Sequence, residues 1–333
     1  MLKKFKVVMI ANDNHPIPDW VCAQFAQADI DYSYHQCFSR EDLQSYAADA
    51  DVLWLQSSRN GLVTEENMDI FKRAGAVIKC GSGTDNIDHA ACTKRGIIVA
   101  HTPEDATDPT SDHQIAMLFS VVRQIARHDH LVHSSKWNVQ AAPPLGNFTH
   151  QDLGLIGFGR IAKATVAKLS GFQMNIRVYD PFIDAASIAA AGCKKVELEE
   201  LLKESRYVMV ACPLTDQTRG LIGENELRMM RPEAVIVNVA RAGIVEEEAL
   251  IKALKEKWIT AAAIDVLKKH PLETDDEWLG LNNVIFTPHA AGYAYDYPDS
   301  IFRTPVEVII EMSKMRLPKW IANKGVKPKW KMT

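Results

Sequence analysis

The chain has 333 residues, more than a single hydrophobic core comfortably serves, so two domains are the starting expectation. Hydrophobic residues make up 47% and charged residues 24%, a balance that excludes a disordered, collagen-like or coiled-coil chain. A net charge of −4, with Lys and Arg scattered, offers no basic field to a phosphate backbone and excludes nucleic acid as the main partner.

The first apolar stretch, Val7-Val8-Met9-Ile10, follows Lys3, Lys4 and Lys6 but ends at Asn12-Asp13 with no small-residue cleavage site. It reads as a buried strand rather than a leader. No apolar run approaches the roughly 18–20 residues of a membrane helix. Further strand-like runs lie at 52–56, 77–80 and 97–99, with helix-length segments between the earlier ones, which predicts parallel βαβ units. Residues 110–134 read as one long helix, with Ile115, Met117, Leu118, Val121, Val122 and Ile125 near helical period. The stretch 138–146, with Pro143-Pro144, breaks it. A second alternating series follows, at 154–157, 176–179, 207–211, 235–239, 261–266 and 284–287. Six strands are what a dinucleotide-binding sheet requires. A last helix is expected over 300–313, and the basic tail 324–331 reads as a solvated chain end.

Two clusters call for no chemistry. His128, His130 and His133 do not share one helical face, so no metal is expected. The six cysteines, Cys22, Cys37, Cys80, Cys92, Cys193 and Cys212, contain no CxxC pair. They read as reduced, mostly buried thiols of a cytoplasmic protein.

The sharpest motif is Gly157-Phe158-Gly159-Arg160-Ile161-Ala162, a GxGxxA turn between a strand and a helix. Gly157 permits the tight turn and Gly159 lets the backbone approach a pyrophosphate. Ala162 keeps the helix against the sheet, and the helix N-terminus attracts the phosphate charge. The next strand ends at Asp180, 23 residues after Gly157, where an acid meets the adenosine ribose. A carboxylate there repels a 2′-phosphate, and Pro181-Phe182-Ile183 supply no cation to hold one, so NAD is expected over NADP.

Four further stretches surround that motif: Gly81-Ser82-Gly83-Thr84-Asp85-Asn86-Ile87-Asp88, Cys212-Pro213-Leu214-Thr215 with Thr218-Arg219-Gly220-Leu221-Ile222, Asn238-Val239-Ala240-Arg241-Ala242-Gly243-Ile244-Val245, and Thr287-Pro288-His289-Ala290-Ala291-Gly292. In this order the chain resembles the D-isomer-specific 2-hydroxyacid dehydrogenases, which include phosphoglycerate dehydrogenases and glyoxylate/hydroxypyruvate reductases. The resemblance implies an α/β fold in which a Rossmann-type NAD domain, 102–292, is inserted in a flavodoxin-like substrate domain made of 1–101 and 293–333. It implies catalysis in the cleft between them and a homodimer built through the long helix and its neighbouring arm. The partner molecule is a small 2-hydroxy or 2-oxo acid, and no membrane partner is expected.

The implied reaction moves a hydride between C2 of that acid and nicotinamide. By the same resemblance the backbone of Gly81, Ser82 and Gly83 holds the substrate carboxylate. Arg241 grips carboxylate and carbonyl oxygen with its planar fork, and His289 gives or takes the proton. Asp265, at a strand end, is expected to bind the nicotinamide amide. Arg160, Ile161, Pro213, Thr218 and Ala240 complete the expected cofactor contacts.

Some positions depart from the family. The glutamate that normally pairs with the catalytic histidine is replaced, since Asp265-Val266 is followed by Leu267-Lys268-Lys269-His270-Pro271. His270 is therefore the expected partner of His289, sharing one proton with it, and Glu273 is the displaced alternative. Arg241 is followed by Ala242 rather than Gly, and Ala211-Cys212 replaces the usual histidine before Pro213. The other readings are a non-catalytic NAD(H)-sensing or scaffold protein on the same fold, and a relative acting on phosphite or formate. Ser82 stands where the phosphite branch has a lysine. The loop Gln56-Ser57-Ser58-Arg59 and the tyrosines Tyr293, Tyr295 and Tyr297 are the candidates for contacting the substrate's distal group.

Overall fold

The computed structural model describes residues 4–11, 17–56, 61–294 and 299–333. The loop Ser57-Ser58-Arg59 and the tyrosines Tyr295 and Tyr297 lie outside them. The chain divides into one unit of Met1–Ala106 with Ala294–Thr333 and another of Thr107–Tyr293.

The first unit runs β1 (Phe5–Ala11), α1 (Asp19–Gln27), β2 (Ile30–Gln36), α2 (Arg40–Tyr46), β3 (Val52–Leu55), β4 (Ala76–Lys79), α3 (His89–Lys94) and β5 (Ile98–His101). The sheet order is β2-β1-β3-β4-β5 and every pairing is parallel, a flavodoxin-like arrangement. β1 from Val7 onward and all of β3 are continuous apolar runs because helices cover both faces of the sheet. β2 is a strand that hydrophobic patterning did not reveal. Its sequence, Ile30-Asp31-Tyr32-Ser33-Tyr34-His35-Gln36, is polar because it forms the sheet edge, and only Ile30 in it is buried.

The second unit supplies α4 (Thr107–Arg123), α5 (Ile125–His133), β6 (Asp152–Ile156), α6 (Arg160–Leu169), β7 (Asn175–Tyr179), α7 (Ala185–Ala189), β8 (Lys194–Lys195), α8 (Leu198–Glu204) and β9 (Tyr207–Val210). It continues through α9 (Glu224–Met229), β10 (Val235–Asn238), α10 (Glu247–Lys255), β11 (Ala261–Ile264) and β12 (Val284–Phe286). The order β12-β11-β10-β9-β6-β7-β8, all parallel, is the doubly wound dinucleotide-binding topology with one further strand. The strand absent from the sequence reading is β8, two residues at the sheet edge, too short for a periodic signal. Apolar clusters line both faces, one including α4 and the buried side of α6, the other α8, α9 and α10.

The long helix expected over 110–134 is two helices. Gln124 between them adopts a left-handed backbone, φ +56°, and its side-chain amide donates to the Val121 carbonyl at 2.9 Å. The chain then returns to the first unit as α11 (Asp299–Ser313). Phe302, Val306, Ile309 and Met312, spaced by three and four, are fully buried. Each contributes about 1.5–3 kcal/mol by burial.

The basic tail is not a solvated end. Asn323 accepts the Val99 N–H at 2.8 Å and donates to the Ile97 carbonyl at 2.9 Å. The Lys329 N–H reaches the Gly96 carbonyl at 3.0 Å, and Trp330 lies 5.5 Å from the Phe5 ring, over a surface that Gly75 leaves open. The charges in this segment concealed the one amide and one indole that dock it.

Candidate active site

The GxGxxA turn sits between β6 and α6. Gly157 has φ +96°, and a Cβ there would lie 2.7 Å from the Cys212 nitrogen just past β9, so the close approach of the two central strands requires glycine. Gly159 is different: a Cβ on it would meet nothing within 4 Å. Its open side leaves room for a ligand rather than for the protein. No side chain caps α6, whose first residues are Arg160 and Ile161, and the positive end of its dipole attracts an anion. Ala162 is fully buried beneath them. These features fit a dinucleotide pyrophosphate.

Asp180, expected to meet the ribose, lies at the tip of β7 and bonds to the protein itself. Its Oδ2 accepts the Phe158 N–H at 2.8 Å, inside the glycine turn. Its Oδ1 accepts the N–H groups of Phe182 and Ile183 at 2.9 and 3.2 Å. The carboxylate therefore fixes the turn that receives the phosphates. On the other side, the Thr218 hydroxyl donates to the Pro213 carbonyl at 2.6 Å and accepts the Thr215 N–H at 2.8 Å, closing that loop on itself. The Gly220 N–H reaches the Gly243 carbonyl at 2.7 Å, which ties the Thr218 loop to the segment holding Ala240 and Arg241.

Arg241 follows β10. The buried side chain of Asn238 accepts the Ala240 N–H and donates to the Arg241 carbonyl, both at 3.0 Å. Arg241 Nη1 donates to the Ala240 carbonyl at 2.8 Å, so the guanidinium is folded back over its own turn. The Asn238 carbonyl also accepts the Asp265 N–H at 3.0 Å. One residue thus anchors the turns after two neighbouring strands.

Asp265 is the hub of the site. Its side chain has no solvent exposure (0%). Oδ1 accepts the Thr287 hydroxyl at 2.5 Å and the Ala290 N–H at 2.8 Å, and Oδ2 accepts the Ala291 N–H at 3.1 Å. Its main-chain carbonyl accepts the His289 N–H at 2.9 Å. His289 is exposed and has φ +57°, a conformation that costs a non-glycine residue on the order of 1–3 kcal/mol. The bonds from Asp265 on both sides of His289 offset that cost. The expected contact of Asp265 with the nicotinamide amide would share a carboxylate that already takes three bonds from the His289 turn, two on Oδ1 and one on Oδ2.

A residue the sequence reading passed over joins this hub. His113, on α4, places Nε2 2.9 Å from the Thr287 hydroxyl and 3.7 Å from Asp265 Oδ1. The available signal was the polar run Ser111-Asp112-His113-Gln114 at the start of an otherwise apolar helix.

His270 lies in the loop after β11; its Nδ1 is 3.2 Å from the Leu267 carbonyl, and among the described residues no hydrogen bond joins it to His289. The loop is drawn toward α10 instead, with the Lys268 N–H on Glu247 at 2.6 Å and its ammonium on Glu248 at 3.3 Å. Glu273, the alternative, pairs with Lys269 at 3.2 Å. Neither is hydrogen-bonded to His289 among the described residues. In the first unit, Gly81 has φ +80° and is held by Thr102, whose hydroxyl accepts its N–H at 3.0 Å. The N–H groups of Ser82 and Gly83 have no protein acceptor among the described residues. No group of three or more potential metal ligands occurs among them either.

Residues 115–291 match the model of the NAD-binding domain of D-isomer specific 2-hydroxyacid dehydrogenases. The chain is 34% identical over 293 residues to a glyoxylate reductase of Pyrococcus furiosus, covering 86% of each. It is 33% identical over 276 residues to a D-3-phosphoglycerate dehydrogenase of Archaeoglobus fulgidus, covering 83% of this chain and 52% of that one. In fold it resembles a glyoxylate reductase from Paecilomyes thermophila, with a TM-score of 0.84 over 95% of this chain and 98% of the other at 21% identity.

Proposed function

Because the chain belongs to the D-isomer-specific 2-hydroxyacid dehydrogenase family and is an NAD-dependent oxidoreductase of small 2-hydroxy and 2-oxo acids, we propose that its own task is to reduce a 2-oxo acid of the size of glyoxylate or hydroxypyruvate. The observation that carries this reading is the His289 turn: an exposed imidazole held in a left-handed conformation by a buried carboxylate, on the same sheet edge as Arg241. The size of the substrate rests on the likeness to the Pyrococcus glyoxylate reductase.

NADH, when bound, supplies the hydride. The turn of Gly157 and Gly159 with the first residues of α6, Arg160 and Ile161, holds its phosphates, and Asp180 takes the ribose with the oxygen capacity its three N–H bonds leave free. Pro213, Thr218 and Ala240 line the cofactor's other side. Asp265 acts on the site through the His289 turn. The Ser82 and Gly83 N–H groups donate to the substrate carboxylate. Arg241 releases the Ala240 carbonyl to grip carboxylate and carbonyl oxygen, charge-assisted and bidentate. His289 delivers its proton to the oxygen that becomes the hydroxyl.

A homodimer is part of this reading, supported by the exposed apolar residues of α5 and the arm after it. Trp137 is 91% exposed and Val139 65%, surface that a second copy would cover. A reducing, cytoplasmic location is part of this reading, and six free cysteines are in keeping with it. No helix among the described residues is long and apolar enough to cross a membrane.

The test is loss of NADH absorbance with a panel of 2-oxo acids that includes glyoxylate, hydroxypyruvate, longer unbranched acids and phosphorylated acids. Turnover concentrated on the small acids supports the proposal. Tight NADH binding without turnover on any of them would replace it with a sensing role.

A further inference from the structure

The buried carboxylate of Asp265 can only accept, so the Thr287 hydroxyl at 2.5 Å must donate to it. The single hydroxyl hydrogen is then spent. The Thr287 oxygen also lies 3.4 Å from the Met117 sulfur and 2.9 Å from His113 Nε2. That ring nitrogen must therefore carry a hydrogen and donate. A directed chain results, from His113 Nε2–H to Thr287 Oγ1–H to Asp265 Oδ1, joining α4 to the turn after β12 across 174 residues of sequence.

We propose that His113 is a positioning residue for the reaction: through Thr287 it orients the Asp265 carboxylate, and through that carboxylate it fixes the turn that presents His289. The proposal rests on the reading of His289 as the proton donor. Without the ring, Thr287 is free to turn its hydroxyl toward Met117, and Oδ1 loses one of its two donors. The Ala290 N–H, 2.8 Å from that same oxygen, is then held by a carboxylate free to rotate. The charges near His113 leave this role unopposed. On its own helix Asp112 is engaged by Lys168 of α6 at 2.7 Å, which also reaches Asp108 at 3.3 Å. From the sheet the facing charge is Asp265 itself, 3.7 Å away. His113 acts through Thr287 and Asp265, so its effect belongs to geometry.

The test compares His113→Leu, His113→Gln and Thr287→Val in the full-length protein by residue-resolved amide exchange, kcat and the Kd for NADH. His113→Leu and Thr287→Val should each speed exchange at Ala290 and Ala291 by about tenfold, the net worth of one hydrogen bond, with Leu155 in β6 unchanged. The double variant should be no worse than the worse single one, since both remove the same chain. In turnover, kcat should fall by about tenfold while the Kd for NADH holds, and His113→Gln, which keeps a donor, should recover most of the loss. Unchanged exchange at Ala290 and Ala291 in both single variants would overturn the proposal, as would a glutamine variant as impaired as the leucine one. If His113→Leu does not fold, Thr287→Val and His113→Gln decide by the same exchange readout. Because exchange needs no turnover, an enzyme inactive on every 2-oxo acid would sink the reading of His289 and leave this test standing.

Discussion

The N–H of His289 lies 2.9 Å from the carbonyl oxygen of Asp265, and the Asp265 carboxylate takes the N–H groups of the two residues that follow His289. The strained turn is thus gripped by one residue from both its main chain and its side chain. Asp265→Ala should strand two N–H groups and the Thr287 hydroxyl, costing about 3–5 kcal/mol of stability. It should also lower kcat by at least about a hundredfold, as displaced proton-transfer groups do. Asp265→Asn should fall between, because an amide keeps one acceptor but turns donors against the other N–H. Denaturant unfolding and steady-state kinetics on the same samples check both effects. A fully active, fully stable alanine variant would remove Asp265 from the account.

The double duty of Asp180 sets the second expectation. NADH should be favoured over NADPH by at least about tenfold in kcat/KM, which needs only about 1.4 kcal/mol of repulsion and lost ribose bonding. Asp180→Ala should narrow that ratio and also weaken NADH itself, because the Phe158 N–H loses its acceptor. Equal use of the two cofactors by the unaltered enzyme would contradict the first half. An alanine variant with undiminished use of NADH would contradict the second.

His270 should matter little. It bonds to the Leu267 carbonyl and not to His289, so His270→Ala should leave reductive kcat/KM within about threefold and its basic limb in place. His289→Ala, by contrast, should lower kcat by about 10²–10⁴. A basic limb that moves in the His270 variant would restore the pairing of the two histidines.

The two histidines show what sequence reveals and what it hides. The places of Gly157, Asp180 and Arg241 just past strand ends were legible because each is set within a few residues of its own motif. His113 and Thr287 meet only after β12 has been laid beside β11 and α4 across them, so no local spacing announces the pair. The pairing of His270 was drawn from its position relative to Pro271, which fits the family's glutamate, whereas its ring bonds to the Leu267 carbonyl and the neighbouring Lys268 to Glu247 and Glu248. β2 escaped notice as a polar edge strand, and Gln124 as an ordinary helical residue whose left-handed turn depends on tertiary packing. The parallel strands, buried on both faces, were the easiest elements to find.

Thiol reactivity tests the burial of the cysteines. Cys22 is exposed, whereas burial pushes Cys80 and Cys92 up to about 12 and Cys37, Cys193 and Cys212 up to about 11. A raised value keeps each of these as the unreactive thiol throughout the neutral range. Brief alkylation of the native protein near neutral pH should add one label, at Cys22, by intact mass and peptide mapping. Rapid labelling of Cys212 would show that the turn against Gly157 opens.

The most direct measurement follows the hydride itself. Hydroxypyruvate is reduced with NADH deuterated at nicotinamide C4, and the glycerate formed is analysed for deuterium and for configuration. The account predicts D-glycerate carrying deuterium at C2, with formation slowed by the same large factor in Arg241→Ala and His289→Ala. The L isomer, or glycerate without deuterium at C2, would contradict it.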